Sequence, residues 1–292
     1  MIESRLRLFY AVDPGEKFWS SEIAALGSDA VLDRIETGFY ESGKRSMDRI
    51  KRRLKERSLA SLQEEIIESG GEFITPGSQN WPHALDDLLV PPIGLIVKGI
   101  PPSCASVALV GTRNPTPYGA RISSEFASGF ADREIEVISG GAYGIDSHAH
   151  RGAIAAEGRT TAVLASGISV RYPAGNERLF AEVLENGALI SEVMPNERAR
   201  PERFLTRNRI IAALSRATIV VEAAFRSGSL RTAHDAAEMM RVVLAVPGPV
   251  TSPTSEGCHR LIGERCAEIV TSVADAMEFL AETTCTLCGD EP

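Results

Sequence analysis

Six short apolar runs alternate with amphipathic segments from residue 107 onward, and this alternation constrains the fold more than any other feature of the chain. Each run is nearly continuous in aliphatic residues and is bounded by Gly, Pro or Ser. The runs are VALVG (107–111), EVISGG (136–141), TAVLASG (161–167), ALISEV (188–193), TIVVEA (218–223) and VVLAVPG (242–248). Strands that are covered on both faces by crossover helices have this composition. The pattern therefore predicts an α/β protein with a doubly wound, mostly parallel sheet.

The sequence before this alternation divides at about residue 70. Residues 1–69 carry apolar side chains at three- and four-residue spacing, which predicts a small helical N-terminal domain. The segments GEFITPG and LIVKG (95–99) predict two further strands, so we assign residues 70–282 to the sheet domain and 283–292 to a flexible tail. Glutamates closely follow the basic run KRRLKER (51–57), which favours a solvated helix face over a nucleic-acid patch.

Composition and charge limit the classes of function. The chain is 43% hydrophobic and 24% charged, as in ordinary soluble proteins. It has neither an apolar run long enough to cross a bilayer nor the apolar core of a signal peptide, so we expect a cytoplasmic protein that does not bind membranes. The net charge of −8 is the opposite of that of a generic basic nucleic-acid binder. A nucleic-acid site would have to be a local positive surface on an acidic body.

The cysteines give no clear ligand set. They are Cys104, Cys258, Cys266, Cys285 and Cys288. Their scatter favours free thiols in a reducing compartment over a disulfide framework. Cys285 and Cys288 form a lone C-x-x-C, which supplies only two of the four ligands of a structural zinc site. A second copy of the chain would have to supply the others, and we interpret the motif as part of the flexible tail.

In doubly wound sheets, ligands bind beyond the carboxyl ends of the strands, so the residues after each apolar run are the candidate site. Two of these segments are helix starts rich in Gly and Ser, whose N–H groups and dipole attract anions. The candidates are Arg113, Ser139, Gly140, Gly141, Ser227, Gly228 and Ser229. The alternative interpretation is that these segments contain glycine only because a tight turn requires it.

Arginines crowd the same predicted edge of the sheet. Five follow the run ALISEV, and two more flank the second helix start. They are Arg198, Arg200, Arg203, Arg207, Arg209, Arg226 and Arg231. A single phosphate would not need so many donors, whereas a polyanionic strand laid along the edge would. A solvated, arginine-rich helix start is the alternative, and the joint placement at strand ends favours an anion site.

Catalytic interpretations find little support. The chain lacks a P-loop, and no G-x-G-x-x-G follows the first apolar run. Asp146, His148 and His150 could suggest a metal or acid–base site, but the two histidines point to different faces of a helix, which favours hydrogen bonds that stiffen the glycine turn. Glu192 and Glu222 end strands without a nucleophile or metal cluster, so we interpret them as structural partners of arginines. We predict no catalytic residue.

Many of these segments, in the same order, resemble the DprA/Smf family of DNA-processing proteins, from about residue 70 to residue 270. The matching segments are VALVGTRNPTPYG, SGGAYGIDSHAHRGAI, YPAGNERL, SEVMP, FLTRNRIIAALSRATIVVEA, RSGSLRTA, AVPG and GCHRLI. The resemblance implies an extended Rossmann-like domain that binds single-stranded DNA without a metal or nucleotide cofactor. It also implies a homodimer that helps to load the RecA recombinase during transformation or recombination.

The resemblance implies roles for particular residues. Arg113 with Ser139, Gly140 and Gly141 would hold phosphates, and Phe204 would stack on a base. Arg207, Asn208 and Arg209 would support the same groove. The dimer contacts would fall in GCHRLIGERCAEIV, at His259, Ile262 and Ile269, although a helix packed on the last strand is the simpler interpretation of this segment.

The chain also departs from the family pattern. Ala174 stands where many members have lysine after YP, and Leu205 stands where many have proline. After Glu282 only TTCTLCGDEP follows, so we expect no winged-helix domain.

Two rival functions stay open. One is a nucleotide hydrolase on the same fold, although RSGSLRTAHDA lacks the catalytic glutamate of such relatives. The other is a sensor that binds a small nucleotide-like ligand in the same pocket.

Overall fold

The computed structural model describes residues 2–40, 45–102 and 105–282, and the strands in these ranges form one mixed sheet with helices on both faces. The strands are β1 (Glu72–Ile74), β2 (Leu95–Gly99), β3 (Ser106–Val110), β4 (Glu136–Ser139), β5 (Thr160–Leu164), β6 (Ala188–Ser191), β7 (Ala217–Val220), β8 (Val242–Ala245) and β9 (Glu268–Ile269). The helices are α1 (Ile2–Ala11), α2 (Lys17–Leu26), α3 (Ser28–Glu36), α4 (Arg45–Glu56), α5 (Leu59–Ser69), α6 (Pro117–Ala131), α7 (Ile145–Ala155), α8 (Glu177–Asn186), α9 (Pro201–Leu214), α10 (Gly228–Glu238), α11 (Glu256–Gly263) and α12 (Val273–Glu282).

The strand order β1-β2-β6-β5-β4-β3-β7-β8-β9 confirms the predicted sheet. All pairs from β6 through β9 in this order are parallel. The strands β1 and β2 add an antiparallel edge, because β2 pairs antiparallel with β6 and β1 with β2. The two-residue strand β9 at the opposite edge was not predicted.

The winding direction reverses beside β3. The strands β4, β5 and β6 succeed one another on one side of β3, and the chain then crosses to place β7 and β8 on the other side. Two loops therefore diverge from the carboxyl ends of β3 and β7, and such a reversal opens a crevice for ligands.

The helices cover both faces of the sheet because successive strand residues point to opposite sides. On one face, Leu109 of β3 packs in a cluster with Phe130 of α6 and Ala149 of α7. On the other face, Val110 packs with Leu230 of α10 and with residues of α9 and α11. This arrangement is the doubly wound architecture that the sequence predicts.

The N-terminal helices form their own core and also contact the sheet. Leu8, Trp19 and Ile35 belong to a buried cluster of α1 to α4. Leu6 of α1 and Ile66 of α5 pack instead in the cluster that contains Ile96 of β2. The predicted domain boundary at residue 70 therefore lies where α5 already packs on the sheet.

The basic run on α4 is solvated only in part: Arg52, Lys55 and Glu56 are exposed, as expected, whereas Arg53 and Arg57 face the protein. Arg53 is only 12% exposed and forms ion pairs with Asp13 and with Glu197, which follows β6. Arg57 forms an ion pair with Glu65 of α5. These arginines are used to join the helices to one another and to the sheet domain.

Some sequence predictions fall outside the described ranges. Cys104, Cys285, Cys288 and the tail 283–292 are among them, so these predictions are not tested. Within the described ranges, every helix is too short or too polar to cross a membrane.

The packing of α6 generates a stability prediction. Phe130 is fully buried, so Phe130→Ala should lower the free energy of unfolding by about 3–5 kcal/mol, because it removes apolar burial and leaves a cavity. Urea unfolding followed by circular dichroism measures the change. Ile67→Ala, at a position that is 76% exposed, is the control and should stay within about 0.5 kcal/mol of the parent. Equal losses for the two variants would contradict the packing described for α6.

Candidate nucleic-acid interface

A cleft of about 720 Å³ opens where the loops after β3 and β7 diverge, and we call it the switch cleft. Its walls come from the loop after β3, from α9 and from the start of α10. Of the predicted site residues, those that line it are Arg113, Phe204, Arg207, Asn208, Ser227, Gly228 and Ser229. Residues from three segments that are distant in sequence thus meet at one crevice.

A stack of a cation on aromatic rings forms one wall of the switch cleft. The guanidinium carbon of Arg113 lies 5.0 Å from the centre of the Phe204 ring. The Tyr172 ring packs against Phe204 at 5.6 Å between centres. Arg113 is exposed and forms no ion pair with any described residue, so its charge faces the cleft without compensation. Tyr172 was not among the predicted site residues, although it begins the YPAGNERL segment.

Arg207 forms the floor of the switch cleft. It is buried, and its Nη1 donates hydrogen bonds to the carbonyl oxygens of Gly140, at 2.7 Å, and of Val163. Burial lowers the pKa of Arg207 to about 10, an effect that the charge of Asp146 partly offsets. The side chain is therefore a fixed cation at neutral pH that ties the ends of β4 and β5 together.

The glycine turn after β4 is closed by its own carboxylate. Oδ2 of Asp146 accepts hydrogen bonds from the amides of Gly140, at 3.1 Å, and Ala142, at 3.3 Å. The hydroxyl of Ser139 is buried and donates to the carbonyl of Leu109. Burial also raises the pKa of the Asp146 carboxyl. Asp146 therefore stiffens the glycine turn through hydrogen bonds, as predicted.

This closure changes the expectation for the predicted phosphate contacts in the turn. Ser139, Gly140 and Gly141 are buried, and they are not part of the wall of the switch cleft. The amide of Gly140 is bonded to Asp146, and a side chain at this glycine would collide with the guanidinium of Arg207. The small residues of this turn allow Arg207 to approach the backbone closely. This outcome agrees with the alternative interpretation of the segment, in which glycine is needed for tight geometry and not for binding phosphate.

Asn176 is a further support of the turn that sequence reasoning missed. Its Nδ2 donates hydrogen bonds to the carbonyl of Gly141, at 3.0 Å, and to the hydroxyl of Ser147, at 2.8 Å. The sequence feature that could have indicated Asn176 is its place in the family-like segment YPAGNERL. The same segment contains Ala174, which stands where many family members have lysine and which is exposed. Asn176 links the segment that carries Tyr172 to the floor of the cleft.

The start of α10 is held against α9. The hydroxyl of Ser227 caps the helix by accepting from the amide of Ser229 at 3.3 Å. Nδ2 of Asn208 donates to the carbonyl of Gly228 at 3.1 Å. Arg226, just before the cap, is exposed and lines the cleft without an ion pair to any described residue. Two uncompensated arginines, Arg113 and Arg226, therefore border the same crevice.

Arg209 does not line the switch cleft. It lies two residues after Arg207 on α9, so the two side chains point to different sides of the helix. Its Nη2 lies 2.5 Å from Oε1 of Glu192, and that carboxylate borders a small cavity beside Gly15 and Pro91. Arg209 therefore belongs to the junction with the N-terminal helices, and its predicted role in the groove is not supported by its position.

The two strand-ending glutamates have different partners. The prediction that Glu192 pairs with an arginine is confirmed by its contact with Arg209. For Glu222 the same prediction was wrong, since its carboxylate accepts from the amide and hydroxyl of Thr116 and from the hydroxyl of Thr254. Glu222 thereby anchors the start of α6 to the end of β7.

The predicted dimer residues lie around α11 and the sheet edge. His259 is half-buried, and its Nε2 lies 3.0 Å from the carbonyl oxygen of Gly248. Ile262 packs against the core, as in the simpler interpretation of this segment. Ile269 lies on the edge strand β9 and is 51% exposed, which leaves it available to a partner.

His150 is a buried structural histidine. Its Nδ1 lies 2.7 Å from the hydroxyl of Thr160, whose proton is donated to the carbonyl of Val137, so Nδ1 is the donor. Its Nε2 is buried and has no hydrogen-bond partner among the described residues. Burial, with smaller effects of Arg207 and Arg151, lowers the pKa of His150 to about 3. The side chain bonds to β5 and not to the glycine turn, which corrects that part of the prediction.

These features define a class of protein: a doubly wound α/β protein whose switch-point cleft can receive an anion or a polyanion. The model of the family described as DNA recombination-mediator protein A matches residues 72–281. The chain belongs to this family, and the resemblance noted in the sequence is confirmed.

Relatives and solved structures support the assignment. A DprA-type DNA-processing protein of Mycobacterium tuberculosis is 38% identical over an alignment of 317 positions, which covers 96% of this chain and 79% of the relative. The crystal structure of DNA processing protein A from Streptococcus pneumoniae superposes with a TM-score of 0.80 at 31% identity and covers 95% of this chain and 96% of that one. A structure of DNA processing protein A from Helicobacter pylori, which gives insight into its single-stranded-DNA binding mode, matches with a TM-score of 0.66 at 28% identity over 73% of this chain and 98% of that one.

The environment of His150 predicts a pH dependence of stability. A histidine in the unfolded chain titrates near pH 6.5. Between that pH and the folded pKa of about 3, only the unfolded chain binds the proton, so the free energy of unfolding should decrease as the pH falls. The expected slope from this residue is about 1.4 kcal/mol per pH unit.

The variant His150→Asn isolates this effect, because it removes the titrating group and keeps a donor for Thr160. Urea unfolding of parent and variant between pH 6.5 and pH 5 should give a shallower slope for the variant. Parallel slopes would mean that His150 is protonated in the folded protein.

Proposed function

We propose that the switch cleft binds single-stranded DNA, and that the protein protects incoming or damaged strands in the cytoplasm and helps to load a RecA recombinase on them. The observation that carries the proposal is the stack of Arg113 on Phe204, with the second uncompensated arginine, Arg226, at the same crevice. Cations contact phosphates, and an aromatic ring stacks on any base, so the combination fits a strand of arbitrary sequence.

The charge of the cleft favours a polyanion despite the acidity of the whole chain. Among the described residues, three arginines border the switch cleft: Arg113, Arg207 and Arg226. The carboxylate of Asp146 also lines the cleft, but it already accepts hydrogen bonds from two backbone amides. Phosphate binding depends on the local field, so a net charge of −8 does not oppose it. The Helicobacter pylori relative has a single-stranded-DNA binding mode, which supports the same ligand here.

The composition of the cleft favours binding over catalysis. Its polar lining is made of arginine, asparagine, serine, threonine and one tyrosine, together with an aspartate that is used to hold the glycine turn. A nucleotide hydrolase would need a carboxylate free to act on substrate. An assay for release of base from nucleoside monophosphates tests this rival directly, since turnover would contradict the proposal.

The remaining rival is a sensor for a small nucleotide-like ligand. A length series separates it from the proposal, because a strand gains affinity with added nucleotides and loses it steeply with salt. Saturable binding of a mononucleotide that survives moderate salt would favour the sensor.

Arg113→Ala should weaken binding of single-stranded DNA by about tenfold to about a hundredfold, since a charge-assisted contact with phosphate contributes about 1.5–3 kcal/mol. The slope of log K against log salt should become shallower by about 0.7, the value for one phosphate contact on a single strand. Fluorescence anisotropy of a labelled oligonucleotide at several salt concentrations, with duplex as competitor, measures both quantities.

The matched control is Arg133→Ala. Arg133 is also exposed, but it lies after α6, just before the amino end of β4 and so at the opposite edge of the sheet. Its removal should change neither affinity nor slope. An unchanged Arg113→Ala would mean that the strand is bound elsewhere.

We further propose that the protein acts as a homodimer through the edge of β9 and α11. Ile269→Asp should leave a folded monomer, because a charge on the half-exposed edge strand opposes apolar contact with a second copy. Light scattering measures the mass, and circular dichroism checks the fold. Ile67→Asp, on an exposed part of α5, is the control and should leave the mass unchanged. A dimer that survives Ile269→Asp would remove this edge from the interface.

A further inference from the structure

We propose that a second pocket next to the switch cleft takes the following bases of the same strand, with Phe225 as its stacking platform. The inference rests on the function proposed above and extends its site. We call this second pocket the distal pocket. It has a volume of about 340 Å³, and Phe225, Arg226, His234, Arg260 and Glu264 are among the residues that line it.

The distal pocket adjoins the switch cleft. Arg226 and Ser227 line both, so a single turn of chain between β7 and α10 is their common wall. Arg226 is exposed and unpaired among the described residues there, which places a phosphate-binding cation at the passage between the two. A strand that leaves the Phe204 platform along this wall meets Phe225 next.

Phe225 has the features of a stacking platform and not of a core residue. Phe225 is 46% exposed, and it lies in the loop between β7 and α10, next to Arg226. The guanidinium carbon of Arg260 lies 4.4 Å from the ring centre, so the cation packs against the ring. The arrangement repeats that of Arg113 on Phe204 in the switch cleft.

The charges around the ring permit a polyanion to approach. The carboxylate of Glu264 is engaged by Nε of Arg260 at 2.6 Å, so it is neutralised within the pocket. Arg226 then remains as the uncompensated charge of the common wall. The combination of a stacked ring and this available cation fits a nucleotide unit, with base on Phe225 and phosphate at Arg226.

A second copy of the chain is the competing occupant. The proposed dimer residue His259 precedes Arg260 on α11, and neighbouring residues on a helix point about 100° apart. The side chains of His259 and Ile262 are not part of the lining of the distal pocket. The pocket and the proposed dimer contacts therefore use different sides of α11, which favours the strand as occupant.

The test compares Phe225→Ala with the parent over oligothymidylates of about 4 to about 16 nucleotides, the range of single-strand site sizes. The shortest oligonucleotides, which the switch cleft holds alone, should bind parent and variant equally. Longer oligonucleotides should bind the variant about tenfold more weakly than the parent. This loss lies in the lower part of the range expected for one base–aromatic stack. Phe204→Ala should weaken binding at every length.

Phe39→Ala is the matched control, since Phe39 is 68% exposed and carries a stacked arginine, Arg34, on the N-terminal helices. It should bind like the parent at all lengths.

Equal affinity of Phe225→Ala and parent at every length, with Phe204→Ala still weak, would overturn the distal pocket and leave the proposed function intact. A parent that binds no oligonucleotide would instead overturn the proposed function. A change of mass of Phe225→Ala in light scattering without DNA would assign the pocket to a second copy and overturn the proposal.

Discussion

The buried carboxylate of Asp146 organises the end of the sheet on which the candidate site depends. It accepts hydrogen bonds from two amides of the glycine turn and compensates the charge of Arg207. Arg207 in turn bonds to the carbonyls after β4 and within β5, so the two strand ends share one cation. Buried polar groups of this kind are costly unless each has a partner, which makes the whole set interdependent. The result is a rigid floor beneath exposed, adjustable arginines.

The distribution of arginine explains how an acidic protein can present a positive groove. Many of the arginines are engaged within the molecule, as Arg53 and Arg203 are with Glu197 and Arg209 is with Glu192. Arg113 and Arg226 border the switch cleft and form no ion pair with any described residue. Local field, and not the sum of charges, then decides where an anion binds.

Much of the fold could be predicted because apolar periodicity is a local property. The runs that became β2 to β8 were recognisable by composition alone, since buried parallel strands are apolar on both faces. The two-residue strand β9 was not recognisable, because it carries too few residues to show a pattern. The site was predicted in part: Arg113, Phe204, Asn208 and the 227–229 segment do line the cleft. Tyr172 and Asn176 were missed, because their contacts join segments distant in sequence.

The sequence by itself determined the doubly wound sheet, the helices that cover it, the family and the edge at which the cleft opens, since each follows from residue order and local pattern. Only the tertiary structure decided what each polar side chain does at that edge. It turned the amides of the glycine turn toward Asp146, sent Arg209 toward Glu192 and left Arg113 and Arg226 without a counter-charge among the described residues. The physical reason is that a charge or hydrogen-bonding group acts through its nearest partner, and that partner is brought close by packing between elements and not by order along the chain.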